Sequence, residues 1–328
     1  MKKLFLILLL TIFISACSND TANEESGEKV IKLAHTGSET HQYHVAAEKF
    51  KEVLEADEST DISVEIHSNG ALGSEGDVIE QVINGSIEMT TVAADSNLAN
   101  TVPEMNLFGI PFLFEDKEHV YKALDGDPGK EMLEYVDQKG MKGLGYWEVG
   151  FRHLSNNTKE IVTPEDAENL SIRIQPASVW AMYFTAIGAN PIPVDFNELY
   201  SALDQGVVDG QENPLPTVNS MKFYEVQQYI SLTSHTYTPA VILMSDEFYS
   251  SLSKEEVTAV DKAIKEARDY QREELSNQED EILTMLDEEG ITITEPDRKA
   301  FEEATLSVRD EISDKVSKDI LQSFIEAK

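Results

Sequence analysis

The chain has 328 residues, 41% of them hydrophobic and 27% charged, enough to bury one large core or two ordinary ones. Its 61 acidic and 26 basic side chains leave a formal charge of -35. The field of so acidic a surface repels polyanions, which excludes nucleic acid and anionic lipid headgroups as partners.

The N-terminus has the layout of a secretory signal peptide over residues 1–16. Lys2 and Lys3 precede an apolar run, Leu4 to Ile14, too short to span a bilayer, and small residues follow. Ile14-Ser15-Ala16-Cys17 resembles the lipobox of bacterial lipoproteins, with Ile where Leu is usual. The alternative is a plain secretory signal with an incidental cysteine. Cys17 is the single cysteine of the chain and has no internal disulfide partner, and lipidation gives an exported thiol a reason to exist. Residues 17–28 are then a lipidated Cys and a polar, flexible tether.

After the tether, strands and helices alternate. Val30–Ala34 reads as a strand, and Tyr43, Ala46, Ala47, Phe50, Val53 and Leu54 recur at helical spacing. Ile62, Val64 and Ile66 alternate with polar residues as a half-buried strand does. Ser74 is placed to cap a helix over 75–84 that Gly85 ends, and Met89–Val92 is another strand. Beyond an aromatic stretch, Phe108 to Phe114, helices are expected over 117–124 and 130–138, and a strand over 144–149. Thr163-Pro164-Glu165-Asp166 has the composition of a helix start. A strand over 171–174, a helix over 179–187 and a strand over 192–194 follow. Asp195 is placed to cap a helix running to Gln205. Val241–Ser245 is a strand. From Lys254 a helical period runs to about Glu289, long enough to cross a domain boundary. A strand over 291–294 and one final helix from Pro296 complete an α/β pattern.

Arginine is the informative residue type, because six of the 26 basic residues are Arg and none precedes Arg152. Arg268, Arg272, Arg298 and Arg309 fall on C-terminal helical faces. Arg152 and Arg173 lie at or beside strands, in a chain that otherwise uses Lys. The guanidinium fork binds a carboxylate bidentately, which an ammonium cannot. Pairing with a structural Asp or Glu explains either residue equally well, and spacing does not choose between the two readings.

The segment Asn190 to Pro214, NPIPVDFNELYSALDQGVVDGQENP, resembles the signature of the solute-binding subunits of tripartite ATP-independent periplasmic (TRAP) transporters, the DctP or dicarboxylate-binding type. The match rests on Gly188-Ala189-Asn190-Pro191, Phe196, Glu198-Leu199-Tyr200, Val208-Asp209-Gly210 and Glu212-Asn213-Pro214. Leu72-Gly73-Ser74-Glu75, Pro111-Phe112-Leu113-Phe114, Gly150-Phe151-Arg152 and Leu170-Ser171-Ile172-Arg173 extend it over most of the chain. The resemblance implies a two-lobed, periplasmic-binding-protein-like α/β fold with a ligand cleft between the lobes and long C-terminal helices. The expected division is 29–152 plus about 239–278 for lobe I and 153–238 plus about 279–328 for lobe II. The resemblance also implies that Arg173 makes the main salt bridge to a ligand carboxylate, with Arg152 assisting and Asn213 hydrogen-bonding. Phe196 would line the cleft, and Glu75 would meet a ligand hydroxyl.

Other constellations carry less. His35, His41 and His44 lie close together, but no spacing marks the further ligands a metal would need. One histidine, His35 or His41, is expected to face the cleft; Trp147 and Trp180 read as packing residues, with Trp180 also a candidate to wall the pocket. No phosphate loop, nucleophile elbow or zinc-protease motif occurs, so neither enzyme activity nor a cofactor is expected. An extracytoplasmic enzyme on acidic sugars lacks a nucleophile, and a surface adhesin leaves the two arginines unexplained. The expectation is therefore a monomeric, membrane-anchored, extracytoplasmic binding lipoprotein that delivers a small organic acid to TRAP permease subunits. A sugar acid of uronate or aldonate type is the first choice of ligand, and a C4-dicarboxylate the second.

Overall fold

A computed structural model of the protein describes residues 29–313 and 316–328. The signal peptide, Cys17 and the tether lie outside them. Eleven strands are present among the described residues: β1 (Lys29–Ala34), β2 (Ile62–His67), β3 (Met89–Ala93), β4 (Met141–Phe151), β5 (His153–Asn156), β6 (Ser171–Ile174), β7 (Asn190–Pro193), β8 (Gly210–Asn213), β9 (Tyr229–Ser231), β10 (Tyr237–Ser245) and β11 (Thr292–Thr294). They form two sheets, a five-stranded one in the order β2-β1-β3-β10-β4 and a six-stranded one in the order β11-β9-β5-β8-β6-β7. This is the two-lobed α/β arrangement with the cleft between the sheets.

Local chemistry sets the elements around the cleft. The helix Gln42–Glu55 buries Tyr43, Ala46, Ala47, Phe50 and Leu54, the stripe its spacing marks. The helix Glu75–Ile83 starts with a capping box: Asp77 N–H donates to Ser74 Oγ, and Ser74 N–H donates back to Asp77 at 2.9 Å. Gly85, at φ 73°, turns the chain out of that helix in a conformation only glycine adopts at no steric cost.

Two strand pairs cross between the sheets. β4 leaves the first sheet, and after Arg152 the chain enters the second as β5. β9 of the second sheet returns to the first as β10. The crossings are tied together, since Arg152 N–H donates to Thr236 O at 2.9 Å and His235 N–H to Arg152 O at 3.2 Å. The long helix Lys254–Glu288 is the third connection. Ala259, Val260, Ala263, Ile264 and Ala267 bury against Phe50 and Trp147 under the first sheet. Ile282 and Leu286 bury against Leu199, Leu203 and Ile230 under the second. It crosses from one side to the other, as its length leads one to expect.

Several expectations need correction. β5, β8 and β9 are short strands that the pattern does not reveal, because their residues are almost all buried and do not alternate. Pro164–Ala167 is a single 3-10 turn rather than a helix. Asp195 makes no side-chain cap, and the helix there starts at Leu199 after a 3-10 turn. The final helix is three: Arg298–Ala304, Leu306–Ser313 and Lys318–Glu326. In the last of them, Phe324 packs edge-on to Phe108 and Phe114, and His119 bonds the Phe324 carbonyl at 2.8 Å. This helix lies beside Asp127–Asp137, on the first sheet's side. Among the described residues no helix is long and apolar enough to cross a membrane.

Candidate functional site

The cavity lies where the carboxyl ends of the parallel strands meet across the two sheets, the usual ligand position in open α/β sheets. Its free space is about 20 Å³, room for about one water. His41 and Tyr43 enter from the start of the first helix, Glu75 from the first turn of the second, and Ala93 and Ser96 from the end of β3. Val149 comes from β4 and Arg152 from the crossing. The other sheet supplies Arg173 and Gln175 at the end of β6, Phe196, and Asn213 at the end of β8.

Arg152 is spoken for. Its side chain is buried, and Nε and Nη2 form a fork on the equally buried Glu212 carboxylate, Nη2 to Oε1 at 2.9 Å. Nη2 also donates to Glu212 O at 2.8 Å and Asn213 Oδ1 at 3.0 Å, and Nη1 to Thr238 Oγ1 at 3.3 Å. Burial alone would lower Arg152; the charge and hydrogen bonds of Glu212 outweigh it and raise the group above its ordinary value. Behind this pair, Thr238 Oγ1 donates to Asp95 Oδ2 at 2.9 Å. Burial pushes Asp95 up to about 7, although Arg152 pulls the other way.

Arg173 differs. It is 1% exposed, and its Nε donates to Val194 O at 2.8 Å, but its buried Nη1 has no partner. Burial lowers it to about 10, with Glu212 opposing and Arg152 adding to the fall, so it stays cationic at neutral pH. A buried guanidinium N–H without a partner is costly until an acceptor completes it, and an anion does so most strongly.

The opposite wall is polar and already bonded. Glu75 accepts from Ala93 N–H at 3.2 Å, and burial raises its carboxyl against the bonds from Ala93 and Ser96 and the charges of both arginines. Asn213 accepts from Arg152 and donates Nδ2–H to Gln211 Oε1 at 2.5 Å. Phe196 lies edge-on to His41, their centroids 5.8 Å apart. Burial, reinforced by His35, lowers His41 well below its ordinary value and keeps it neutral.

Of the residues singled out from sequence, Arg173, Arg152, Asn213, Glu75, Phe196 and His41 come together around one cavity. His35 and Trp180 are not in its lining. His35 Nε2 pairs with His44 Nδ1 at 3.2 Å behind Tyr43. Trp180 donates Nε1–H to Asp95 O at 2.7 Å and lies under the Arg152 guanidinium, 5.3 Å from it, so it supports that arginine from behind. Tyr43, Ser96 and Gln175 were missed. Tyr43 fits the helix stripe and reads as core. Gln175 stands two residues after Arg173, and strand alternation could have found it.

The match to known proteins is extensive. Residues 33–315 fit the family model of bacterial extracellular solute-binding protein, family 7, the DctP family. The 2,3-diketo-L-gulonate-binding periplasmic protein YiaO of Escherichia coli is 34% identical, over 89% of this chain and 88% of its own. The galactonate complex of the sugar acid binding protein DctPAm from Advenella mimigardefordensis superposes with a TM-score of 0.88 at 32% identity, covering 91% of this chain and 97% of that one. A TRAP solute-binding protein from Sulfurospirillum deleyianum with bound succinate superposes at 0.87 with 33% identity, covering 92% and 99%. With its two sheets, its crossing strands and a buried arginine facing the cleft, the chain belongs to the DctP family of TRAP-transporter solute-binding proteins, which bind their ligands and do not transform them.

Proposed function

We propose that this chain is the membrane-anchored capture subunit of a TRAP transporter and that its ligand is a hydroxylated monocarboxylate of sugar-acid type. The observation that carries the reading is the asymmetry of the two arginines. Arg173 offers a buried, unused N–H to one carboxylate. Arg152 is neutralised by Glu212, and the far wall holds Glu75, Tyr43 and Ser96, which suit hydroxyls rather than a second carboxylate. The YiaO and DctPAm proteins are sugar-acid binders by name. The succinate complex of the Sulfurospirillum protein supports a C4-dicarboxylate as the second reading. Capture would hand the ligand to TRAP permease subunits on the outer face of the cell membrane.

Native mass spectrometry of freshly purified protein identifies a co-purifying acid. Calorimetry with galactonate and with succinate then ranks the two readings. Arg173→Lys keeps the charge and loses the fork, and it should weaken binding at least about tenfold while leaving the fold intact. Parent-like affinity in a folded Arg173→Lys variant would overturn the site. Lipidation of Cys17 belongs to the same proposal. Cys17→Ser should abolish lipid labelling and release the protein from membranes, and unchanged membrane association would refute the anchor.

We further propose a division into lobes that gives Lys318–Glu326 to the first lobe. Its contacts with Phe108, Phe114 and His119 support that choice. Hydrogen exchange tests it: Phe324→Ala should loosen the first lobe's protection and spare the second's.

A further inference from the structure

Two residues of the cavity lining hold buried donors without a partner: Arg173, through Nη1, and Gln175, through Nε2. The other polar side chains around the carboxylate position are committed. Asn213 is bonded to Arg152 and Gln211, and Glu75 to Ala93. Gln175 is 4% exposed, so water does not satisfy it from bulk. An amide buried in this way, without a hydrogen bond, is costly unless something that enters the cavity completes it.

Its place on the backbone says what that something is. Ile172 and Ile174 of β6 turn into the apolar core. Alternation sends Arg173 and Gln175 to the opposite face, where both border the cavity. Residues two apart on a strand are about 6.6 Å apart along the chain. Because both side chains line one small cavity, an acid whose carboxylate sits on the Arg173 fork would have its first carbons beside the Gln175 amide. An apolar methylene there leaves the amide orphaned. A hydroxyl, which both donates and accepts, satisfies it with either amide atom turned inward.

We propose that Gln175 is a specificity-determining residue that reads an oxygen on the carbon next to the ligand carboxylate. The site would then select 2-hydroxy acids over their 2-deoxy counterparts. The inference deepens the proposed capture of a hydroxylated acid and rests on Arg173 as the carboxylate anchor. Sites built to hydrogen-bond a hydroxyl reject the analogue lacking it far more strongly than apolar pockets sort by size, because a buried polar group is left unpaired.

Calorimetry on two matched pairs tests it: galactonate against 2-deoxygalactonate, and malate against succinate. The parent should bind the 2-hydroxy member of at least one pair about tenfold tighter or more. Gln175→Met, which keeps length and removes the amide, should weaken that member toward its 2-deoxy partner and leave the partner's affinity at the parent level. Retained binding of the partner also shows that the variant is folded. A parent that does not discriminate within the pairs, or binds none of the four acids, overturns the proposal without any variant. So does a Gln175→Met protein with the parent's ratio, or one weakened equally toward both members. Discrimination confined to malate and succinate would remove the sugar-acid reading and leave the role of Gln175 standing.

Discussion

Arg152 and Arg173 border the same cavity and carry the same charge, yet their surroundings separate their work. Arg152 is held by a fork on Glu212, with Thr238 and Asn213 around it. Removing one member of a buried ion pair leaves the other uncompensated, at a cost of about 3–5 kcal/mol. Arg152→Met should therefore unfold at a markedly lower urea concentration than the parent, and Arg152→Met with Glu212→Leu should recover part of the loss. Arg173→Met removes a buried cation that lacks a protein partner on Nη1, so the unliganded protein should be no less stable for it, while ligand binding disappears. Urea unfolding of the three variants without ligand checks the contrast. Equal destabilisation by Arg152→Met and Arg173→Met would show that both arginines are structural.

At the scale of elements, the long helix Lys254–Glu288 does more than join two layers. Gln271, in its middle, is 0% exposed. Its Nε2 donates to Gln42 O at 2.7 Å and Glu148 O at 3.1 Å, and its Oε1 accepts from Glu148 N–H at 2.7 Å. It thereby fixes β4 and the start of the first helix, the element that carries His41 and Tyr43. Gln42 in turn donates to Thr217 Oγ1 on the second sheet's side at 2.7 Å. Gln271→Leu strands one buried N–H and two carbonyls, and should cost about 2–3 kcal/mol in denaturant unfolding. It should also weaken ligand binding, by loosening the cavity's first wall. An unaffected unfolding midpoint would mean that the backbone finds other partners.

On the scale of the whole molecule, the two sides share an apolar core in which Leu107 and Phe108 pack with Val179, Trp180 and Phe184, and beside the cleft they meet through small polar contacts. Gln42 reaches Thr217, Ser38 Oγ donates to Ser220 O at 3.1 Å, and Asn100 Nδ2 donates to Pro176 O at 2.5 Å. Such contacts can open, and the crossings around Arg152 and Thr236 are the natural hinge. Ligand bridging Arg173 to the Glu75 wall should shift the population toward the closed form. Small-angle scattering should give a smaller radius of gyration with saturating ligand, and identical curves would refute closure.

Sequence by itself determined the α/β class, most elements around the cleft, and the residues that carry the family signature. The reason is that periodicity, caps and glycines act locally: the Tyr43 to Leu54 stripe, Ser74 before Glu75, and Gly85 each specify their segment without help. It also placed Arg173 one residue from the end of a strand. What only the tertiary structure decided was which charges cancel. Arg152 lies 60 residues from Glu212, and nothing in spacing pairs them in a chain so rich in acids. The short buried strands β5, β8 and β9 were equally illegible, since burial on both faces erases alternation. Trp180 and His35 were candidates for the cavity wall until packing placed them behind Arg152 and Tyr43. Gln175 acquires its meaning in the same way, because an unpaired amide becomes visible only when every neighbour that could have paired with it has been located in space.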